Sequence, residues 1–126
     1  PVTAVLNADD DLFQMFRQEA ACEVVSVGFA QEATLRITGV APLRDGTQVQ
    51  LLTPQGLIEL RTPLYGAFNA RNVVTAAALA RAAGLDWPTI SRGLEGAQAP
   101  PGRLEPVEEG QPFPVLVDYA HTPEAL

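Results

Sequence analysis

The first thirty residues constrain the fold most strongly, because they follow the order strand, helix, strand. Residues 2–6 form a short apolar, β-branched run that predicts a buried strand, and residues 24–29 form a second such run. Between them, apolar residues recur at helical spacing and predict an amphipathic helix over residues 11–21. Two strands joined by a helical crossover pair in parallel, so the chain is expected to begin as a βαβ unit of an α/β fold.

The period of the hydrophobic pattern then changes from helical to alternating. Apolar and polar side chains alternate along residues 34–38, 48–52 and 57–61. Turn-forming residues mark the breaks between these runs: Pro42, Asp45, Gly46, Pro54 and Gly56. The pattern predicts a small antiparallel meander of three strands with one polar face.

Two helices are predicted after the meander. The first is rich in alanine and extends to residue 83, with Asn69 as its expected N-cap and Gly84 as the residue that ends it. Such an alanine-rich helix usually indicates close packing against a sheet. The second helix begins at Asp86 and ends at Gly96.

The last part of the chain returns to strands. Residues 97–102 contain two prolines and predict a connector, and residues 103–107 and 113–118 predict two strands. Residues 122–124, Thr-Pro-Glu, then have the composition of a helix start.

Net charge excludes one class of function. A formal charge of −7 leaves no basic stripe for neutralising a nucleic acid, although a nucleotide ligand needs only one or two local donors. No apolar run reaches the length of about 18 residues that a membrane span requires. The single cysteine, Cys22, excludes an internal disulfide and is expected to be a buried structural thiol, which favours a reduced, cytoplasmic location.

The first group of candidate binding residues lies at the start of the alanine-rich helix. Asn69 and Asn72 are three residues apart, so they share one helix face. Their amides could donate to and accept from a planar heterocycle such as adenine. The alternative is that one of them caps the helix and the other is solvated.

The second group lies where a predicted strand passes into a helix, which is where α/β proteins place ligands. Asp118 could accept from ribose hydroxyls, and His121, the only histidine, could donate to a phosphate. Arg103 follows a glycine and could bind a phosphate or a carboxylate. The alternative is that His121 is a surface residue and Arg103 pairs with a surface acid. One histidine without further metal-binding partners does not predict a metal site.

Residues 7–10, Asn-Ala-Asp-Asp, form an acidic turn after the first strand. Such carboxylates could face Mg²⁺, but they more often cap the following helix. We therefore expect a capping role.

Four segments, taken in this order, resemble the Mur ligase family. Residues 5–10 resemble a strand and turn in the second half of the family's central ATPase domain, and residues 66–72 resemble its Gly-x-(Phe/His)-Asn-x-x-Asn adenine motif. Residues 101–105 resemble the arginine motif at the junction with the C-terminal domain. Residues 118–123, Asp-Tyr-Ala-His-Thr-Pro, are similar to the form found in MurE-type members.

The resemblance implies a parent enzyme that uses Mg-ATP to join an amino acid to UDP-N-acetylmuramoyl-L-Ala-D-Glu during peptidoglycan synthesis. It implies an α/β fold in which residues 1–99 are the distal part of a parallel-sheet central domain with a small antiparallel subsheet. Residues 100–126 would begin a Rossmann-like C-terminal domain. Asn72, supported by Asn69, would hold adenine; Asp118 would hold ribose; Arg103 and His121 would approach the phosphates. No catalytic residue is assigned within the chain.

The chain contains no lysine, whereas the family's phosphate loop ends Gly-Lys-Thr and a carbamylated lysine lies near its magnesium ions. The sequence also starts without methionine, so we expect an internal segment of a longer protein. We predict that this 126-residue chain alone has no ligase activity and binds ATP weakly at most. Release of ADP, or micromolar ATP affinity by calorimetry, would contradict this.

Two other functions are compatible with the same patterns. The parent could be another amide ligase of the type of MurC, MurF, cyanophycin synthetase or folylpolyglutamate synthetase. Alternatively, the chain could be a non-enzymatic α/β interaction module in which the asparagines and the histidine are only caps. A partial domain would also leave apolar surface uncovered, through which dimers could form.

Overall fold

The computed structural model describes residues 2–122, which form a single five-stranded sheet, three helices and a separate two-stranded sheet. In chain order the elements are β1 (Thr3–Asn7), α1 (Phe13–Glu19), β2 (Glu23–Gly28), β3 (Leu35–Leu43), β4 (Gly46–Thr53), β5 (Gly56–Thr62), α2 (Ala67–Ala82), α3 (Trp87–Glu95), β6 (Glu105–Val107) and β7 (Val115–Val117).

The five-stranded sheet has the order β1-β2-β3-β4-β5. β1 and β2 pair in parallel through the α1 crossover, so the predicted βαβ unit is confirmed. β3, β4 and β5 form the predicted antiparallel meander. β3 also pairs in parallel with the end of β2, through Leu35 and Arg36, so the meander extends the parallel strands in one mixed sheet.

The prediction that Pro42 breaks the chain between two strands is wrong. Pro42 lies inside β3, opposite Thr47 of β4. β3 continues past the last residue that pairs with β2, Arg36, so its far half is an edge with one neighbouring strand. A proline is tolerated on such an edge because no second strand there needs a hydrogen bond from its backbone nitrogen.

The hydrophobic core lies on one face of the sheet, beneath α2 and α3. Alanines 70 and 77 of α2 are fully buried, which confirms that the alanine-rich helix packs closely on the sheet. The strands contribute β-branched residues and leucines to the same core: Val27, Leu35, Ile37, Val49, Leu51 and Leu60. Cys22, expected to be buried, is only half-buried because α1 ends at Glu19 and leaves it in the following loop.

The ends of α2 and α3 agree in part with the predicted caps. Gly84 adopts φ 94° and donates to the Arg81 carbonyl, while Leu85 donates to the Ala80 carbonyl, which is a Schellman C-cap. Asp86 caps α3 by accepting from the Thr89 backbone N–H at 2.9 Å. Hydrogen bonding to Thr89 lowers the pKa of the Asp86 carboxyl from its usual value.

Asn69 does not cap α2, contrary to the prediction. α2 begins at Ala67, two residues before Asn69. Its N-cap is Gly66, at φ 92°, and no side chain caps the helix. Asn69 lies within the first turn with its side chain pointing inward, where its Nδ2 donates to the Tyr65 carbonyl at 2.7 Å. The amide therefore satisfies a carbonyl before the helix rather than an N–H inside it.

The last two strands are shorter than predicted. β6 and β7 form an antiparallel hairpin in which Glu105 pairs with Val117. The predicted helix start at residues 122–124 lies largely outside the described residues. No helix in the described part of the chain combines the length and apolar character needed to cross a membrane.

Candidate nucleotide-binding site

Two asparagines in the first two turns of α2 form a hydrogen-bonded pair. Asn69 is 8% exposed, and its Oδ1 accepts from the Asn72 Nδ2 at 3.1 Å. The carbonyl of Tyr65 can only accept, so Asn69 must direct its Nδ2 to it and its Oδ1 to Asn72. This orients the Asn72 amide as well. The Oδ1 and the second N–H of Asn72, which is exposed, remain available for a planar ligand.

Asp9 stands at the carboxyl end of β1 and connects three segments of the fold. Its Oδ1 accepts from the backbone N–H groups of Phe29 and Ala30, both at 2.9 Å, just beyond the end of β2. Its Oδ2 lies 3.5 Å from the Nε of Arg71, the fifth residue of α2. This role was not predicted from the sequence. The available indication was Asp9 after the first parallel strand together with Gly28 at the end of the second.

The expectation that residues 7–10 cap α1 is wrong, because the N-cap position is Leu12 and no side chain caps the helix. Asn7 accepts from the Asp9 backbone N–H, and Asp10 accepts from the Leu12 backbone N–H at 2.9 Å. Both bonds stabilise the turn before α1. Asp9 does not fit a magnesium ligand, because its carboxylate is already occupied by two N–H donors and a guanidinium. No group of three potential metal ligands occurs within residues 2–122.

Asp118 joins the two ends of the β6–β7 hairpin. Its Oδ2 accepts from the Leu104 backbone N–H at 3.0 Å, and Leu104 adopts a positive φ of 46°. The neighbouring Tyr119 donates its backbone N–H to the carbonyl of Gly102. The segment containing Arg103 and the segment containing Asp118 are therefore held side by side.

His121 lies close to the open end of the β6–β7 hairpin, next to Tyr119. Its Nδ1 lies 3.1 Å from the Tyr119 carbonyl oxygen, and its ring lies 5.3 Å from the Tyr119 ring. Tyr119 itself is 78% exposed. In this structure His121 lies at the surface and makes only a local contact, which is the alternative to a phosphate-binding role. Its Nε2 points to no partner among the described residues.

The open end of the β6–β7 hairpin lies against the start of α2. A Cβ on Gly66, the N-cap, would be 3.0 Å from Cδ1 of Leu104. This contact brings the Arg103 and Asp118 segment to the helix end that presents Asn69 and Asn72. A nearby groove of about 580 Å³ is lined by Arg44, Tyr65 and the far end of the hairpin, and none of the five candidate residues lines it.

Comparison with known families gives a match over most of the chain. Residues 1–80 match the family described as the Mur ligase middle domain. The chain is 43% identical, over all its 126 residues, to the UDP-N-acetylmuramoyl-L-alanyl-D-glutamate–2,6-diaminopimelate ligase of Bacillus licheniformis. It spans about a quarter of that protein, 26% of its length.

Solved structures share the same fold. A structure of a UDP-N-acetylmuramoyl-L-alanyl-D-glutamate–2,6-diaminopimelate ligase superimposes on 98% of this chain and 26% of its own, with a TM-score of 0.83 and 26% identity. MurF from Acinetobacter baumannii superimposes on 98% of this chain and 27% of its own, with a TM-score of 0.80 and 30% identity. The α/β fold predicted from the sequence is therefore confirmed.

Proposed function

Because the chain belongs to the Mur ligase family, we propose that it is part of an ATP-dependent ligase of the MurE type. The ligase would join a diamino acid to UDP-N-acetylmuramoyl-L-Ala-D-Glu in peptidoglycan synthesis. The observation that supports this most strongly is the 43% identity along the whole chain to a relative whose name states that reaction. MurF, MurC and folylpolyglutamate synthase share the fold, but the relatives at this identity favour the MurE type.

Within this proposal, the exposed amide of Asn72 binds the adenine base, and Asn69 orients it. The support is geometric. The hydrogen bond from Asn69 to Tyr65 fixes the orientation of the Asn72 amide, whose Oδ1 and second N–H remain free for a ligand. A base bound there would accept one hydrogen bond and donate another. Asp118 keeps its Oδ1 available for ribose hydroxyls while its Oδ2 holds Leu104.

Arg103 and His121 would approach the phosphates, from the two segments that meet beside Asp118 at the open end of the hairpin. ATP, when bound, supplies the phosphoryl group that activates a substrate carboxylate. The residues of this chain then contribute positioning and charge neutralisation, which are the main demands of phosphoryl transfer. Since Asp9 does not fit a magnesium ligand, the groups that hold Mg²⁺ are expected on other segments of the parent protein.

The arrangement of the parent is part of the same proposal. Residues 1–99 would complete the ATPase domain, and residues 100–126 would begin the next domain, in a cytoplasmic enzyme. Association of copies through exposed apolar side chains, such as Met15 and Phe16 of α1, is a further element of the proposal.

The direct test is the substrate dependence of ADP release by the full-length protein. We expect release only when UDP-N-acetylmuramoyl-L-Ala-D-Glu and a diamino acid are both present. Omission of either substrate is the control. Turnover that instead requires D-alanyl-D-alanine and a substrate already bearing diaminopimelate would overturn the MurE-type assignment in favour of the MurF reaction.

A further inference from the structure

We propose that Asp9 and Arg71 are a positioning pair, which holds the beginning of α2 so that Asn72 faces the nucleotide. This inference rests on the proposed adenine-binding role of Asn72. It assigns a function to two residues that lie outside the five candidate binding residues. Neither Asp9 nor Arg71 needs to touch the nucleotide for this role.

The position of Asp9 is fixed by the sheet. Its carboxylate accepts the N–H groups of Phe29 and Ala30, with Phe29 reaching both oxygens at 2.9 and 3.1 Å. Gly28, at φ 150°, permits this approach, because a Cβ there would lie 2.8 Å from the carboxyl atoms of Asp9. Asp9 is an exposed residue, but its side chain is only 19% exposed, so its carboxylate is an anchor at the carboxyl edge of the sheet.

Arg71 connects this anchor to the helix. Its Nε lies 3.5 Å from the Asp9 Oδ2, and its guanidinium carbon lies 5.7 Å from the centre of the Phe29 ring. The planar guanidinium is thus held by a charge and by an aromatic face together. Both contacts are made to the segment that follows the parallel strands β1 and β2.

Apolar packing of Ala70 and Val74 holds α2 on the sheet, but few polar contacts fix the beginning of α2. Its N-cap, Gly66, provides no side-chain hydrogen bond. Asn69 binds the preceding carbonyl of Tyr65, and Arg71, two residues later, contacts Asp9 at the edge of the sheet. Adjacent helix residues are separated by about 100° around the axis, so these two attachments, together with the buried Ala70, favour one rotation of the helix start and one direction of Asn72.

The test is steady-state kinetics of the full-length ligase with Asp9→Asn and Arg71→Ala. We expect each to raise KM for ATP about tenfold while kcat and KM for the amino acid stay near wild type, since the loss is one of positioning at the nucleotide. Arg71→Lys should recover part of the affinity because it keeps the charge. Arg81→Ala is the matched control, since Arg81 is on the same helix and lies 5.5 Å from the Trp87 ring, and it should leave KM for ATP unchanged.

The double variant distinguishes positioning from direct contact. If Arg71 acts through Asp9, Asp9→Asn/Arg71→Ala should raise KM for ATP no more than either single change. Fully additive effects would overturn the pair and indicate that Arg71 binds the nucleotide itself. Unchanged KM in the Arg71 and Asp9 variants, with a raised KM in Asn72→Ala, would overturn this inference alone. Unchanged KM in all three would overturn the adenine site as well.

Discussion

Gly46→Ala is expected to destabilise the protein more than any other single glycine replacement in the meander. Gly46 begins β4 at φ 147°, and a Cβ there would lie 2.0 Å from the Thr62 carbonyl oxygen and 2.7 Å from the Cα of Pro63. Both obstacles are backbone atoms, so neither can rotate away. We expect a loss of about 4 kcal/mol or more in the free energy of unfolding, since backbone strain alone costs about 1–3 kcal/mol.

Gly56→Ala is the matched control for this prediction. Gly56 begins β5 after a two-residue turn, as Gly46 begins β4, and it has φ 127°. A Cβ on Gly56 would meet no atom within 4 Å, so only the cost of the backbone conformation applies. Thermal unfolding followed by circular dichroism should show a melting temperature at least about 10 °C lower for Gly46→Ala than for Gly56→Ala. Equal losses would show that close packing against Thr62 is not the reason.

Asn72→Ala is expected to raise KM for ATP of the full-length ligase by about 10–100-fold, because it removes two hydrogen bonds to a bound base. The value of kcat should change little, because adenine lies away from the transferred phosphoryl group. Asn72 is exposed, so its replacement should leave thermal stability within a few degrees of wild type. The measurement is the ATP dependence of ADP release at saturating concentrations of the other two substrates.

Thr75→Ala is the control for the loss of a polar side chain on this part of the helix. Thr75 lies one turn after Asn72, and its hydroxyl donates only to the Arg71 carbonyl of its own helix. We expect this variant to keep the wild-type KM. Unchanged turnover in both Asn72→Ala and His121→Ala would instead favour the interaction module, in which these residues are only local structural groups.

The period of the hydrophobic pattern determined most of the fold. Strands of period two and helices of period 3.6 are local properties of the chain, so β1, α1, β2 and the meander could be predicted from residues near one another. The same holds for Gly84 and Asp86, because a C-cap and an N-cap depend on a few adjacent residues. The sharing of one helix face by Asn69 and Asn72 was likewise set by their spacing.

The tertiary structure decided what these residues contact. The role of Asn69 depended on the carbonyl of Tyr65 lying beneath it, and the role of Asp9 depended on β2 ending beside β1 with a glycine. Pro42 could remain in a strand only because β3 continues beyond the end of its pairing with β2. The roles of Asp9 and Pro42 depend on atoms distant in sequence that packing brings together, so no local pattern contains them. The partner of Asn69 is only four residues away, but the contact depends on where α2 begins.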